Sequence, residues 1–115
     1  MRKNKVMYVS VTGLKTKGFV SWIRFWMLAI PAFRAAQKAE GCLICETKTH
    51  NGCQHTFTVW KDKTSMMKYR ASPVHLKAMK VFSKIAFGKI YGYETNNIPT
   101  WSDALKGWND YAKDY

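Results

Sequence analysis

The sequence predicts an α+β domain in which an antiparallel sheet carries two helices on one face. Three observations lead to this prediction. The chain has 115 residues, 47% of them hydrophobic, which is enough for one core and too few for two. Apolar periodicities follow the order strand, helix, strand, strand, helix, strand. An Asn-Gly pair joins the two middle strands, as in a β-hairpin.

The first part of the chain contains a strand and a long helix. The segment KVMYVSVTGLK, residues 5–15, is rich in β-branched and aromatic residues, alternates in side-chain direction and is fairly apolar on both faces, which predicts the first strand. Over residues 19–40 the apolar positions follow helical spacing. Gly41 is the stop signal, and Pro31 is expected to kink or restart the helix.

The middle of the chain is predicted to form a hairpin and a short helix. The segments CLICETKTH, residues 42–50, and CQHTFTVW, residues 53–60, read as strands. The glycine of the pair between them tolerates the positive φ angle of a tight turn. Asp62 is then expected to cap a helix over residues 63–70.

A longer helix, a fourth strand and a tail complete the chain. Ser72 offers a cap with Pro73 at the first helical position, and this helix is expected to run to Gly88. The segment KIYGYET, residues 89–95, predicts the fourth strand, and an aromatic tail over residues 98–115 is expected to pack on the domain or on a partner subunit. The predicted buried stripe of the helix consists of Val74, Ala78, Val81, Phe82 and Ile85.

This order of elements, β-α-β-β-α-β over one domain of residues 1–115, is that of the ferredoxin-like folds. Both helices would cover one face of the sheet. Because the strands carry apolar residues on both sides, a second subunit or the tail is expected to cover the other face. The aromatic content of 15%, with five tryptophans, likewise favours an oligomer or a bound ligand.

The net charge and the N-terminal segment limit which partners and which cellular compartment are expected. Nineteen Lys and Arg against seven Asp and Glu give a formal net charge of +12, which attracts phosphates, anionic lipid head groups or acidic small molecules. The basic residues are dispersed and no nucleic-acid-binding motif accompanies them, so we expect a solvated surface and no nucleic-acid partner. The basic segment 1–5 precedes a strand rather than the apolar core of a signal peptide, which predicts a cytoplasmic protein. The apolar run over residues 19–33 is interrupted and too short to span a bilayer.

The three cysteines are expected to be free thiols, because their number is odd and no export signal is evident. Cys42 and Cys45 form a C-x-x-C motif, with His50, Cys53 and His55 behind it, so zinc has to be considered. In a strand, positions three apart face opposite sides and the two thiols would diverge. This geometry disfavours a zinc site. His55 and Cys53 are instead expected to be a surface histidine at the hairpin end and a buried thiol.

Four segments carry a resemblance to a known family. They are VSVTGLK in the first strand, TFTVWKD followed by MMKY, SPVHLKAM, and IPTWSDALKGW, and they occur in this order over nearly the whole chain. In them the sequence resembles the dimeric α+β-barrel proteins, which are antibiotic-biosynthesis-monooxygenase-like, and among these the spheroidene monooxygenase-like proteins. The resemblance implies a homodimer whose sheets pack face to face, with a pocket between the helices and the sheet of each subunit.

The resemblance also implies a monooxygenase-like function. Relatives bind and oxygenate hydrophobic polyene, polycyclic or tetrapyrrole molecules, some with haem and some without a cofactor, and both alternatives stay open here. The haem-degrading branch has a tryptophan and, ten residues later, a haem-ligating histidine. Aligned on the Ser72–Ala78 segment, this chain has Tyr69 and Met79 at those positions, and His75 lies one turn before Met79.

His75 is therefore the candidate catalytic residue, because neutral imidazole binds metals and transfers protons near physiological pH. The alternative is a solvated histidine on the helix surface, since no acidic residue or second histidine lies near it in the sequence to orient the ring. Trp60 is expected to cover the pocket or to anchor the core. The other candidate pocket residues are Tyr69, Met79, Trp22 and Trp26.

The aromatic residues of the first helix point all round its axis, so some must face away from the sheet. They could line the pocket, form dimer contacts, or rest on a membrane surface where Lys15, Lys17 and Arg24 meet anionic lipids. Motifs of hydrolases and kinases are absent from the sequence. The competing function is a non-catalytic module for ligand binding or dimeric assembly.

Overall fold

The computed structural model describes residues 6–114, which contain five strands and four helices. The segment 1–5, including the expected strand start at Lys5, and the tail residue Tyr115 lie outside the described residues. The strands are β1 (Met7–Thr16), β2 (Cys42–His50), β3 (Cys53–Trp60), β4 (Ala86–Thr95) and β5 (Lys113–Asp114). The helices are α1 (Phe19–Lys38), α2 (Lys63–Arg70), α3 (Pro73–Ile85) and α4 (Trp101–Tyr111).

The strands form one antiparallel sheet in the order β2-β3-β1-β4-β5. The predicted α+β fold of the ferredoxin-like type is confirmed, with β5 as an added edge strand. The hairpin between β2 and β3 has the predicted bounds, and its turn residues Asn51 and Gly52 both have positive φ angles, 50° and 77°. Two positive φ angles match the right-handed twist of the strands, which explains why this pair specifies a tight hairpin.

Side-chain caps fix where α2 and α3 begin. The backbone N–H of Ser65 donates to the carboxylate of Asp62 at 2.8 Å, and that of His75 donates to the hydroxyl of Ser72 at 3.5 Å. Both caps satisfy backbone donors that the first helical turn leaves unpaired. Pro73 follows the second cap at the position where its missing N–H costs nothing.

The largest departure from the predicted boundaries lies between α3 and β4; α1 also ends at Lys38 rather than at residue 40, and β1 ends at Thr16 rather than at residue 15. Helix α3 ends at Ile85 rather than at Gly88, and β4 begins at Ala86 rather than at residue 89. The reason is that the long β1 continues to Thr16, which pairs with Ala86 and draws the intervening residues into the sheet. Helix α1 neither stops nor restarts at Pro31, which lies on its exposed side.

The sheet separates two hydrophobic cores. Helices α1 and α3 pack side by side on one face. The core beneath them contains Leu14, Phe25, Ala32, Ala78, Phe82, Ile85 and Ala86. Of the predicted α3 stripe, Ala78, Phe82 and Ile85 are buried, whereas Val74 and Val81 are half-buried. Helix α4 packs on the other face over Val9, Val11, Phe57 and Val59, with its own Ala104 fully buried.

The expectation that β1 is fairly apolar on both faces is confirmed in part, because Leu14 lies in the core beneath α1 and α3. Val9 and Val11 face α4, whereas Ser10 and Thr12 face the opposite side and line the space under α1 and α3. Alternation along a strand separates the two sets. In the described residues 6–114 we find no helix that is both long enough and apolar enough to cross a membrane.

Candidate functional site

A cavity of about 390 Å³ lies between the sheet and the layer formed by α1, α2 and α3. This volume is within the range of small-molecule sites, which is roughly 300–1,000 Å³. The wall on the helix side is apolar, with Phe25, Trp26 and Ala29 from α1 and Met79 and Phe82 from α3. The cavity is therefore suited to a molecule with a large apolar surface.

The floor of the cavity is polar and comes from the sheet. Alternate residues of β1 and β3 direct Ser10, Thr12, Thr56 and Thr58 towards the helices, so that hydroxyl groups lie opposite the apolar wall. Hydroxyl groups both donate and accept hydrogen bonds. A ligand with an apolar body and a few oxygen atoms would match this arrangement.

A row of ring contacts connects the floor to α3. The indole N–H of the buried Trp60 donates to the hydroxyl of Thr58 at 3.0 Å. The Trp60 ring stacks on Tyr69 with centroids 5.4 Å apart, and Tyr69 packs edge-on against His75 with centroids 5.1 Å apart. The hydroxyl of Tyr69 donates to the carbonyl of Ala32 at 2.7 Å, which holds α2 against α1. These contacts give His75 a defined position in the cavity wall.

His75 lies in an environment that favours the neutral imidazole. Burial lowers the pKa of His75, and the nearby Arg70 charge lowers it further. Its Nδ1 atom is buried and has no hydrogen-bond partner. Such an orphaned nitrogen is uncommon in folded proteins and is found where a ligand or a reacting group completes the site.

The structure brings together most of the candidate pocket residues. Trp26, Trp60, Tyr69, His75 and Met79 all line the cavity. Trp22 does not line it. Although Trp22 is only four residues from Trp26, it lies in the first turn of α1, stacked on Phe19 near the end of β1, and is 44% exposed.

Several lining residues were missed by the sequence reasoning. The hydroxyl floor was missed, and so was Arg70, which lines the cavity at the end of α2. The signal for the floor was present in VSVT and TFTV, where Ser and Thr alternate with Val and Phe. Such a regular alternation places the apolar side chains on one face of the sheet and the polar side chains on the other. Here the polar face points into the cavity.

The two thiols of the C-x-x-C motif do not diverge, contrary to the expectation. The register between β2 and β3 shifts between Cys42 and Ile44, so Leu43 is an extra residue in the strand. Cys42 then lies opposite Trp60 and Cys45 opposite Thr58, on the same face of the sheet. Burial, followed by the neighbouring Cys42, raises the pKa of Cys45 to about 12.

A zinc site is nevertheless not formed in the part of the chain that the structure describes. No three of its His, Cys, Asp and Glu residues lie close enough together to hold a metal ion. Two adjacent thiols supply half of a structural zinc site. Both are neutral at physiological pH because burial raises the pKa of Cys42 as well.

The predictions for His55 and Cys53 are wrong. His55 is only 2% exposed, because Trp108 of α4 packs edge-on against it with ring centroids 4.6 Å apart, and Cys53 is half-buried. The Nδ1–H group of His55 donates to the carbonyl of Thr12 at 3.2 Å. Its burial depends on a helix some fifty residues away, which no local pattern in β3 indicates. His55 packs against α4 and is also among the residues that line the cavity.

His75 lines the cavity with an unpartnered Nδ1 atom, but the lysines near the start of α3 do not lie at the cavity wall. Lys68, Lys77 and Lys80, which could have held haem carboxylates, are exposed and outside the cavity lining. The site has the character of an apolar pocket with hydroxyl groups.

Comparison with known proteins supports the fold. No protein-family model matches the sequence, and no curated protein matches it. Among solved structures, SnoaB, a cofactor-independent oxygenase from Streptomyces nogalater, has a TM-score of 0.67 at 12% identity, over 83% of this chain and 96% of SnoaB. A candidate antibiotic biosynthesis monooxygenase from Deinococcus radiodurans has a TM-score of 0.68 at 18% identity, over 80% of this chain and 96% of the other.

The fold is that of the antibiotic-biosynthesis monooxygenases. A second candidate protein of this kind, from Caulobacter crescentus, has a TM-score of 0.67 at 13% identity, over 84% of this chain and 93% of the other. Identities this low establish shared architecture. The activity of a fold of this kind depends on the residues of its site.

Proposed function

We propose that this protein is a monooxygenase-like protein that binds a flat or extended hydrophobic molecule in the helix-sheet cavity and oxygenates it without a resident cofactor. The observation that carries the proposal is the cavity itself, with an apolar wall, a hydroxyl floor and a half-buried His75 whose pKa is lowered by burial. Polycyclic and polyene molecules with oxygen substituents match this lining. The resemblance to the spheroidene monooxygenase-like proteins supports an extended hydrophobic ligand.

Oxygenation without a cofactor places a demand on the substrate. The electrons that reduce O₂ must come from the substrate, which therefore needs an acidic C–H or O–H group whose deprotonation gives an electron-rich anion. For a methylene group converted to a carbonyl, one oxygen atom enters the product and the other leaves as water with the two hydrogen atoms. A neutral imidazole is a suitable acceptor for the first proton.

The residues around the cavity would assist this reaction by position. The rings of Trp26, Phe25 and Phe82 would stack on a flat substrate and exclude water. The hydroxyl groups of Thr12 and Thr56 would hold its oxygen substituents. SnoaB, a cofactor-independent oxygenase of the same fold, supports the choice of a reaction without a cofactor.

One observation favours a second function, which is ligand binding without catalysis. The described residues that line the cavity include no Asp or Glu. A catalytic histidine is commonly oriented by a carboxylate, and here the Tyr69 ring packs against the imidazole instead. The non-catalytic module therefore remains the alternative proposal.

Oxygen uptake separates the two functions. A hydroxylated anthrone is a suitable tricyclic probe, because it has an acidic methylene group. The proposal expects saturable quenching of tryptophan fluorescence and oxygen consumption above the spontaneous rate. His75→Ala should lower that rate about 100-fold while binding is kept, as expected for loss of a general base. His50→Ala, at the exposed end of the hairpin, is the matched control.

Other outcomes identify the alternatives. Saturable binding without oxygen uptake would favour the binding module. Equal rates for His75→Ala and the parent protein would remove His75 from the chemistry. A Soret band that shifts in His75→Ala after haemin addition would contradict the cofactor-free reaction.

A homodimer is part of the proposal. Helix α4 already covers Val9 and Val11, so a partner would bind beside it, over β4. On that side Phe87 is exposed, and Tyr91 packs on Tyr111 with ring centroids 5.8 Å apart. Exposed aromatic residues such as Phe87 and Tyr111 are enriched at protein interfaces.

A further inference from the structure

The charges of the protein are divided between the two layers that cover the sheet. Each of α1, α2 and α3 carries three basic residues and no acidic residue. Helix α4, on the opposite face, carries Asp103 and Asp110 with Lys106. The basic residues are therefore not a uniformly solvated surface. Nine of the nineteen Lys and Arg residues lie on α1, α2 and α3, which together form a basic layer that we call the helical layer.

The same layer exposes large apolar side chains. Helices α2 and α3 contribute one exposed residue each, Met67 and Leu76. The exposed apolar residues of α1 include Phe19, Val20, Ile23, Met27 and Ile30. Met27 is 71% exposed on the side of α1 opposite the buried Phe25. An apolar patch of this kind, surrounded by Lys and Arg, is typical of an interaction surface.

The cavity opens within this layer. Ile30 of α1 and Leu76 of α3 both line the cavity and are both exposed, so they lie at its mouth. Arg70, at the end of α2, is a third exposed lining residue. The mouth is thus apolar with a basic rim, like the layer around it.

We propose that the helical layer docks on an anionic lipid bilayer, with α1 lying in the plane of the membrane surface. The apolar side chains of α1 would enter the boundary between head groups and acyl chains, and the basic residues would contact lipid phosphates. Trp22 lies at the N-terminal end of the patch, and tryptophan prefers this boundary. With about 1.5 Å per residue, the 20 residues of α1 would lie along about 30 Å of the surface.

Charge and composition distinguish this partner from two others. A symmetric contact between two copies through the helical layer would bring nine basic residues against nine, with no acidic residue to pair with them. A nucleic acid would contact the basic residues but would leave Met27 and Ile23 against phosphates. A lipid surface satisfies both the charge and the apolar side chains.

Docking in this orientation places the mouth of the cavity at the membrane. An apolar ligand could pass from the lipid to the cavity without crossing water, which would suit the hydrophobic molecule proposed above. The docking itself rests on surface residues and holds whether or not the cavity is catalytic. Its test therefore uses no substrate.

Vesicle sedimentation tests the proposal. The probes are vesicles of phosphatidylcholine alone and of phosphatidylcholine mixed with phosphatidylglycerol. We expect at least tenfold stronger partitioning to the anionic vesicles at about 0.1 M salt and a large loss at about 1 M, where screening shortens to about 3 Å. Equal binding to both vesicle types, or no binding to anionic vesicles, would overturn the proposal.

Variants locate the surface. Lys77→Glu and Lys80→Glu, both exposed on α3, should each lower the partition coefficient about fivefold or more. Lys106→Glu on α4 makes the same charge change on the other layer and should have little effect. If all three variants weaken binding equally, net charge alone is responsible and the docking face is wrong.

A spectroscopic readout checks the apolar contact. Trp22 fluorescence should shift to shorter wavelength with anionic vesicles, and Trp22→Phe should remove that change while the protein still sediments with them. Met27→Asp should weaken binding to the vesicles. Leu43→Asp introduces the same charge at an exposed apolar residue of β2, outside the helical layer, and should not weaken it. Thermal unfolding confirms that each variant is folded. A spectral shift unchanged in Trp22→Phe would contradict docking through α1.

Discussion

The indole of Trp108 packs edge-on against the imidazole of His55, with ring centroids 4.6 Å apart and planes at 85°. The Trp108 N–H group donates to the carbonyl of Lys89 at 3.0 Å, so the ring is fixed to β4 as well as to β3. Gly13 lies between them on β1. The contact joins the tail helix to the three central strands of the sheet.

Gly13→Ala should destabilise the protein. A Cβ atom at this position would lie 2.7 Å from Cε2 of Trp108 and 2.8 Å from Cε1 of His55, well inside van der Waals contact. We expect a loss of about 1–3 kcal/mol in the free energy of unfolding, measured with urea. In a Trp108→Ala background the same substitution should cost much less, because the clash is gone. An equal cost in both backgrounds would show that the ring is not what Gly13 accommodates.

Stability should fall as the pH falls below about 6.5. Burial lowers the pKa of His55 and of His75, so below the ordinary histidine pKa the unfolded chain binds protons that the folded chain does not. The contribution of the neutral rings is present above that pKa and is lost as the pH falls through the lowered folded pKa. Urea unfolding at pH 7.5 and 5 measures the loss. His55→Gln should reduce the pH dependence, and an unchanged dependence in this variant would remove His55 from the effect.

Removing the tail should unfold or aggregate the protein. A chain that ends at Asn97 lacks α4 and exposes Val9, Val11 and Val59, each of which is fully buried. Ala104→Asp tests the same packing with a single substitution. Ala104 is also fully buried, so an unpaired carboxylate there should lower the free energy of unfolding by several kcal/mol. Lys106→Asp is the exposed control on the same helix. A soluble, cooperatively unfolding chain without α4 would show that the tail is not required.

Thr58→Val should cost about 1–3 kcal/mol in the free energy of unfolding. The substitution keeps the shape of the side chain but leaves the buried N–H of Trp60 without its acceptor at 3.0 Å. Thr56→Val is the matched control, since Thr56 lies on the same face of β3 and has no bond to Trp60. Equal losses in the free energy of unfolding for the two variants would mean that the Trp60 hydrogen bond does not contribute to stability.

The protein should sediment as a dimer of about twice its chain mass of 13.3 kDa at micromolar concentration. The interface we propose includes Phe87. Phe87→Asp should shift the equilibrium to the monomer, because the dimer would then bury an unpaired charge. Leu43→Asp, at another exposed apolar residue, should leave the dimer intact. A monomer for the parent protein would remove the dimer from the proposed function.

Local signals in the sequence were sufficient to place most elements. Asp62, Asn51-Gly52 and Ser72-Pro73 each act through hydrogen bonds or φ angles within a few residues, so their effects can be read from the sequence without the rest of the fold. The ferredoxin-like order of elements follows from them. Burial of Trp60 against the helices follows from its place at the end of an alternating strand.

Tertiary structure decided which side chains meet. The extra residue Leu43 turns Cys42 and Cys45 to the same face, and the register shift that does so is set by pairing with β3. The burial of His55 depends on α4, a helix that begins at Trp101. Whether the Ser and Thr face of β1 points to water or to a cavity depends on where α1 and α3 pack. These contacts join residues far apart in the sequence, so their geometry is set by packing across the sheet and cannot be read from neighbouring residues.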